Sequence, residues 1–148
     1  MPKIVEFKKI YRILDANINR CKEGLRVCEE VARFILDDKS LTGDFKRVRH
    51  RIDSLIENSR GNPRLLEQRD SLKDVGLKVK NKAEFTRRDL TDVFYANIQR
   101  AKESVRVLEE FSKINDSKAA MGLRKIRYNI YELERKTVKK LGQVVRGK

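Results

Sequence analysis

Apolar residues recur every three or four positions through most of the chain, which is the pattern of amphipathic helices. The first stripe consists of Leu14, Ile18, Cys21, Leu25, Cys28, Ala32 and Ile35, and Phe7, Ile10 and Tyr11 extend it backwards. This stripe predicts a long helix, helix A, over about residues 7–37. The cysteines lie two turns apart on one face, too far apart to bridge, so we expect two small core residues.

Three further stripes predict three further helices. Helix B carries Phe45, Val48, Ile52, Leu55 and Ile56, helix C carries Phe94, Ile98, Ala101, Val105 and Leu108, and helix D carries Leu123, Ile126, Ile130 and Leu133. The expected caps are Thr42 or Asp44 for helix B, Thr91 or Asp89 for helix C, and Ser117 for helix D. The sequence SRGNP is expected to end helix B, and helix D is expected to end near Gly142.

Helix C repeats the sequence of helix A. ANINRCKEGLRVCEE at 16–30 returns as ANIQRAKESVRVLEE at 96–110, with ten of fifteen positions identical. Helix D echoes helix B, because KRVRHRIDSLIE at 46–57 aligns with RKIRYNIYELER at 124–135. Two similar hairpins, about 7–59 and 89–141, predict a single all-α domain over residues 1–148. The expected fold is a four-helix bundle built from a duplicated helical hairpin with pseudo-two-fold symmetry.

The connector between the two hairpins, residues 60–88, is long for a helical bundle. We expect it to cross one end of the bundle or to contain short structure. Val75, Leu77 and Val79 alternate with other residues, which permits a short extended piece.

The repeated helices keep polar residues on a second face that is otherwise suited to burial. Asn17 and Arg20 lie beside Gly24 in helix A, and Asn97 and Arg100 lie beside Ser104 in helix C. The small residue allows a close approach by another helix or by a ligand.

Two interpretations of these polar residues remain open, and they can coexist. In a salt-bridge network, Glu23 and Glu30 would flank Arg26, and an arginine from a facing helix would join them. In a phosphate pocket, Arg20, Arg26, Arg100 and Arg106 would bind phosphate through their planar guanidinium groups.

The connector sequence RDSLKDVG is the second candidate for chemistry. Asp70 and Asp74 stand four residues apart beside Gly76, and two such carboxylates could bind Mg²⁺ that bridges substrate phosphates. Ordinary capping and turn chemistry is the alternative. His50, the single histidine, is better suited to hydrogen bonding at a helix interface than to general-base catalysis.

The charge of the chain points to an anionic ligand without identifying it. Lysine and arginine total 36 against 22 acidic residues, a net charge of +14, which suits nucleic acid, anionic lipid or phosphorylated small molecules. Nucleic acid ranks last, because the basic residues are interleaved with glutamate and no aromatic stacking platform is evident. High Lys, Arg and Glu content also fits a heat-adapted source.

The absence of several motifs narrows the function further. The sequence has no P-loop, no G-x-G-x-x-G and no C-x-x-C or H-E-x-x-H, which argues against P-loop NTPases, Rossmann enzymes and zinc sites. No window is apolar enough for a membrane span, and the amino terminus lacks a signal-peptide apolar run. We therefore expect a cytoplasmic protein.

Five motifs in order carry a family resemblance: RILDANINRCKEGLRVCEEVARFILDD, KRVRH, RDSLKDVG, ANIQRAKESVRVLEEF and LRKIRYNIYELE. The chain resembles the helical domain that is often fused ahead of thiamine-phosphate synthase and also occurs alone. That family has been proposed as an alternative hydroxymethylpyrimidine phosphate kinase in thiamine biosynthesis.

The resemblance implies transfer of the γ-phosphoryl group of Mg-ATP to hydroxymethylpyrimidine phosphate. The residues matching the family's polar motifs are Asn17, Arg20, Glu23, Arg26, Arg49, His50, Asp70, Asp74, Gly76, Asn97, Arg100, Glu103, Arg106 and Arg127. Arginines would then clamp phosphates while Asp70 or Asp74 holds Mg²⁺.

Two other functions compete with the kinase. The chain could be a scaffold that docks on a separate thiamine-phosphate synthase, or a nucleic-acid-binding helical protein. The ligand expected for the kinase is a pyrimidine phosphate or nucleotide. The apolar stripes also leave room for a homodimer.

Overall fold

The structure, a computed structural model, describes residues 4–57, 66–79 and 82–146. Its four long helices are α1 (Ile4–Glu30), α2 (Lys39–Glu57), α3 (Leu90–Ser112) and α4 (Ser117–Arg146). No strand occurs in these described ranges, which confirms the predicted all-α class. None of the described helices combines the length and the apolar character that a membrane span requires.

The four helices form a bundle in which each helix has two principal neighbours. Both α1 and α4 pack against α2 and α3, and the most extensive contact is between α1 and α3. The two helices with the repeated sequence are therefore direct neighbours, as are α2 and α4. This packing confirms the predicted four-helix bundle, while the duplication itself stays a prediction.

The predicted stripes supply the core. Leu25 of α1, Phe45 of α2, Ile98 of α3 and Ile126 of α4 are fully buried together with their neighbours on the same stripes. Cys21 and Cys28 are buried free thiols, as expected, and burial raises the pKa of both. Ile35 and Phe34, at the end of the predicted helix A, are exposed instead.

The end of the first helix differs from the predicted one. The α-helical part of α1 ends at Glu30, and a single π-helical turn, Val31–Ile35, continues it. Asp37 then adopts a positive φ of 48°, a left-handed conformation that stops the helix. The chain turns there into α2.

Two of the three predicted caps are wrong, and aspartates take their places. Asp38 caps α2 by accepting a hydrogen bond from the N–H of Leu41 at 2.8 Å, and Thr42 and Asp44 lie inside the helix. Asp116 caps α4 in the same way, because its carboxylate accepts a hydrogen bond from the N–H of Ala119 at 3.0 Å. Asp89 caps α3 as predicted, and α4 continues past Gly142 to Arg146.

The connector has short helical turns rather than an extended piece. Single 3₁₀ turns occur at Ser71–Lys73 and Lys82–Phe85, and Val75, Leu77 and Val79 are exposed residues without strand structure. The short structure expected in the connector is present as these turns, and the extended piece that the alternation permits does not occur in the described residues. The predicted SRGNP stop and the side chain of Ile56 lie outside the described residues.

Gly24 lies at a close contact between α1 and α3. A Cβ atom placed on Gly24 would lie 2.7 Å from the backbone oxygen of Asn97. We predict that Gly24→Ala lowers the free energy of unfolding by about 1–3 kcal/mol, because a backbone carbonyl cannot move without separating the helices. Urea denaturation followed by circular dichroism measures this change.

Gly142 provides the matched control, since it is also a helical glycine but has open space around the position of a Cβ atom. Gly142→Ala should raise the free energy of unfolding by up to about 1 kcal/mol through helix propensity. Equal stability of Gly24→Ala and the wild type would contradict the close packing of α1 on α3.

Candidate functional site

A polar cleft of about 660 Å³ opens between α1, α3 and the connector. The close packing at Gly24 brings Arg20 of α1 and Arg100 of α3 to the same opening. The cleft is lined by Lys9, Arg12, Ile13, Asp15, Ala16, Asn17, Asn19, Arg20, Glu23, Arg69, Asp70, Ser71, Asp74 and Arg100. The structure thus brings part of the predicted arginine set together with both predicted metal-binding aspartates.

Four cations of the cleft are available to a ligand. Within the described part of the chain, Lys9, Arg12, Arg20 and Arg100 have no hydrogen bond and no ion pair. The cleft is lined by five cations and by the carboxylates of Asp15, Glu23, Asp70 and Asp74. Guanidinium groups without a protein partner match phosphate in particular. Arg12, Arg20 and Arg100 can therefore donate hydrogen bonds to an anion in the cleft.

The carboxylates of Asp70 and Asp74 lie on the connector side of the cleft. One oxygen of Asp74 accepts a hydrogen bond from the N–H of Gly76 at 2.8 Å, so this residue also has the alternative turn role. Among the described residues, no three acidic, histidine or cysteine side chains are placed to hold a metal ion. Mg²⁺ carried by a nucleotide needs only one or two carboxylates, which Asp70 and Asp74 can supply.

A bidentate ion pair joins the connector to the wall of the cleft. Arg69 donates from Nε and Nη2 to the two carboxylate oxygens of Asp15, both at 2.7 Å. Asp15 is only 7% exposed, so its charge needs a partner. The hydrogen bond to Asp15 raises the pKa of the Arg69 guanidinium.

A second group of predicted residues forms a buried salt-bridge network outside the cleft. Glu29 of α1 is 3% exposed and accepts hydrogen bonds from Arg49 of α2 at 3.1 and 3.2 Å. Arg26 lies 3.4 Å from Glu29 and 3.3 Å from Glu30. The salt-bridge interpretation describes Arg26 correctly, except that Glu29 takes the place expected for Glu23.

The second half of the chain contains the same network. Arg127 of α4 donates to the buried Glu109 at 2.9 Å, and this hydrogen bond raises the pKa of Arg127. Arg106 lies 3.3 Å from Glu109 and 3.1 Å from Glu110. Arg26, Arg49, Arg106 and Arg127 therefore neutralise buried glutamates instead of lining the cleft.

The remaining predicted residues divide between the cleft and the surface. Asn17 lines the cleft and donates to the carbonyl of Ile13 at 2.8 Å. Asn97 makes the equivalent bond to Val93 but does not line the cleft. Glu103 and His50 are exposed away from it, and His50 has no hydrogen bond to any described residue, unlike the interface role expected.

Sequence reasoning missed several residues of the site. Lys9, Arg12, Asn19 and Ser71 line the cleft, and Asp15 anchors the connector. One available signal was the alignment of the two halves, in which the buried Asp15 corresponds to Tyr95. A charge on only one copy of a repeated helix indicates a role that the other copy lacks.

A second, smaller cavity of about 340 Å³ lies where α2 begins and α4 ends. It is lined by Asp38, Ser40, Leu41, Asp44, Arg135, Lys136, Lys139, Lys140 and Gln143. It contains none of the residues predicted for the site. An ion pair between Lys140 and Asp38 already neutralises part of its charge.

Comparisons with known proteins give the family. Residues 12–136 match the ThiD2 family. The chain is 44% identical over 127 residues to a thiamine-phosphate synthase of Rhodopirellula baltica, covering 85% of this chain and 33% of that protein. It is 37% identical over 125 residues to a thiamine-phosphate synthase of Synechocystis, covering 84% and 35%.

The chain thus spans about a third of the length of the curated relatives it matches. No solved structure matches it. The family match runs through both repeated helices and includes most of the residues that line the cleft. The chain belongs to the ThiD2 family.

Proposed function

We propose that the chain acts in thiamine biosynthesis by phosphorylating hydroxymethylpyrimidine phosphate with Mg-ATP, and that the polar cleft binds the reacting phosphates. The observation that supports this proposal most is the cleft itself, where four cations without a partner among the described residues lie beside Glu23 and two connector aspartates. Family membership supports the pathway, because relatives that contain this segment are thiamine-phosphate synthases. The volume of about 660 Å³ falls within the range of small-molecule sites.

The reaction requires neutralised charge more than covalent chemistry. An oxygen of the substrate's phosphate attacks the γ-phosphorus of ATP, a new P–O bond forms, and the bond from the γ-phosphorus to ADP breaks. Arg20 and Arg100 approach from two different helices, so together they can hold the two phosphate groups close to each other. Arg12 and Lys9 add positive charge along the same wall.

The connector side of the cleft suits the metal that accompanies ATP. Asp70 and Asp74 would hold Mg²⁺, which supplies further charge neutralisation at the transferring phosphoryl group. Asn17 is positioned by its bond to Ile13, so its side-chain oxygen can face a ligand. The mixture of cations and carboxylates in one cleft is what a magnesium-nucleotide complex requires.

Turnover by the purified chain tests this proposal. Incubation with ATP, Mg²⁺ and hydroxymethylpyrimidine phosphate should give ADP and hydroxymethylpyrimidine diphosphate, detected by ³¹P NMR. The product should not form when EDTA removes Mg²⁺. Unchanged substrate in the presence of Mg-ATP would reject the kinase proposal.

A second candidate function is docking on thiamine-phosphate synthase, and the connector is the observation that favours it. Leu72 is 90% and Val75 94% exposed, and Leu66, Val79 and Phe85 are exposed beside them in sequence. In the relatives, the matched segment belongs to a chain about three times as long. Association with a separately purified synthase, lost in Leu72→Ser with Val75→Ser, would support docking, and no association would reject it.

A further inference from the structure

Residues 66–79 of the connector have one side-chain link to the rest of the described chain. Of residues 66–79, only Arg69 has a side chain that bonds to a described residue outside that segment, and its partner is Asp15. The other bonds of the segment are internal turns, such as Leu77 to Asp74 at 3.1 Å. Residues 69–79 are all exposed, so apolar packing does not fix their position. The position of Asp70 and Asp74 therefore depends on the residue immediately before them.

Among the described residues, the ion pair between Asp15 and Arg69 has no equivalent in the second half of the bundle. Asp15 corresponds to Tyr95 in the repeated helix, and Tyr95 is exposed. The connector also occurs once, between the halves. Within the described residues, the connector carboxylates Asp70 and Asp74 therefore join the cations of one cleft only.

We propose that Asp15 and Arg69 are positioning residues that hold the connector carboxylates over the cleft, so that each chain has one complete site for Mg-ATP. The inference rests on the proposed function. The buried carboxylate of Asp15 requires the guanidinium of Arg69, and the bidentate geometry fixes direction as well as distance. Asp70 and Asp74 then lie in the same cleft as Arg20 and Arg100 before the ligand arrives. Binding therefore does not have to order the connector, which would lower the affinity.

Hydrogen exchange of the ligand-free chain provides the first test. In Asp15→Asn and in Arg69→Gln, amide exchange within residues 66–79 should become about tenfold faster or more. In the wild type, opening of this segment has to break the charged pair, and in the variants this free-energy cost is absent. Arg88→Gln is the matched control. Arg88 makes a bidentate pair with Asp92 at 2.8 and 3.1 Å, but neither residue lines the cleft.

Kinetics and calorimetry provide the second test. KM for Mg-ATP should rise about tenfold in either variant, KM for hydroxymethylpyrimidine phosphate should change less, and the double variant should be no worse than one single variant. Arg88→Gln should leave both constants unchanged. Calorimetry should give one Mg-ATP per wild-type chain, bound more weakly by both variants.

The outcomes separate this inference from the kinase proposal. If the wild-type chain binds Mg-ATP without turnover, the kinase reaction is rejected. The positioning role is then decided by the Kd values for Mg-ATP and by the amide exchange of residues 66–79. Faster exchange with unchanged KM and Kd would overturn the positioning role, as would unchanged exchange. Two Mg-ATP per chain, or no Mg-ATP binding at all, would also overturn it.

Discussion

Arg20→Ala and Arg100→Ala should each lower kcat/KM for hydroxymethylpyrimidine phosphate by about a hundredfold or more. In the proposed reaction, each variant removes a guanidinium that neutralises charge on the reacting phosphates, and losing one such group typically has an effect of this size. The two arginines have no bonds to other described residues, so the melting temperature should stay close to that of the wild type. Steady-state kinetics with a thermal melt of each variant measures both quantities.

Arg51→Ala is the control for this prediction. Arg51 is an exposed arginine of α2 that also has no bond to a described residue, and it lies outside the cleft. Its removal changes the net charge by the same amount and should leave kcat/KM unchanged. Normal turnover in both Arg20→Ala and Arg100→Ala would show that the cleft does not bind the reacting phosphates.

Glu29→Ala should destabilise the protein by about 3–5 kcal/mol, the usual effect of removing one partner of a buried ion pair. The substitution leaves the guanidinium of Arg49, whose side chain is 15% exposed, without its carboxylate partner. A typical domain is stable by only about 5–15 kcal/mol, so much of the protein's stability would be lost. Urea denaturation followed by circular dichroism provides the free energy of unfolding.

Glu30→Ala is the matched control, because Glu30 is the next residue and pairs with the same Arg26. Its side chain is 40% exposed, and exposed ion pairs contribute about 1 kcal/mol or less. Glu109→Ala should repeat the large effect in the other half through Arg127. Equal, small effects of Glu29→Ala and Glu30→Ala would mean that the network is not buried in solution.

The long helices were predictable because their periodicity is repeated over many residues. A single misplaced apolar residue, such as the exposed Ile35, hardly changes a stripe as long as that of α1. Helix caps depend on one side chain and one local turn, so Asp38 and Asp116 could not be distinguished from neighbouring polar residues. The left-handed conformation of Asp37 has no periodic signal at all.

The site was only partly predictable, because its residues are selected by contacts that are distant in sequence. Arg20 and Arg26 share a helix and a residue type, yet Arg20 faces the cleft and Arg26 pairs with glutamates. The difference depends on where α2 and the connector pack against α1. Asp15 and Arg69 are 54 positions apart, so no local pattern indicates their pairing.

The central claim is that the pyrimidine phosphate binds in the cleft between α1, α3 and the connector. Titration of ¹⁵N-labelled protein with hydroxymethylpyrimidine phosphate in the presence of Mg²⁺ tests this claim at individual backbone amides. The largest shift changes should occur at Asn17, Arg20, Ser71, Asp74 and Arg100, which line the cleft. Changes centred instead on Leu41 and Lys136 of the second cavity, or no changes at all, would contradict the account.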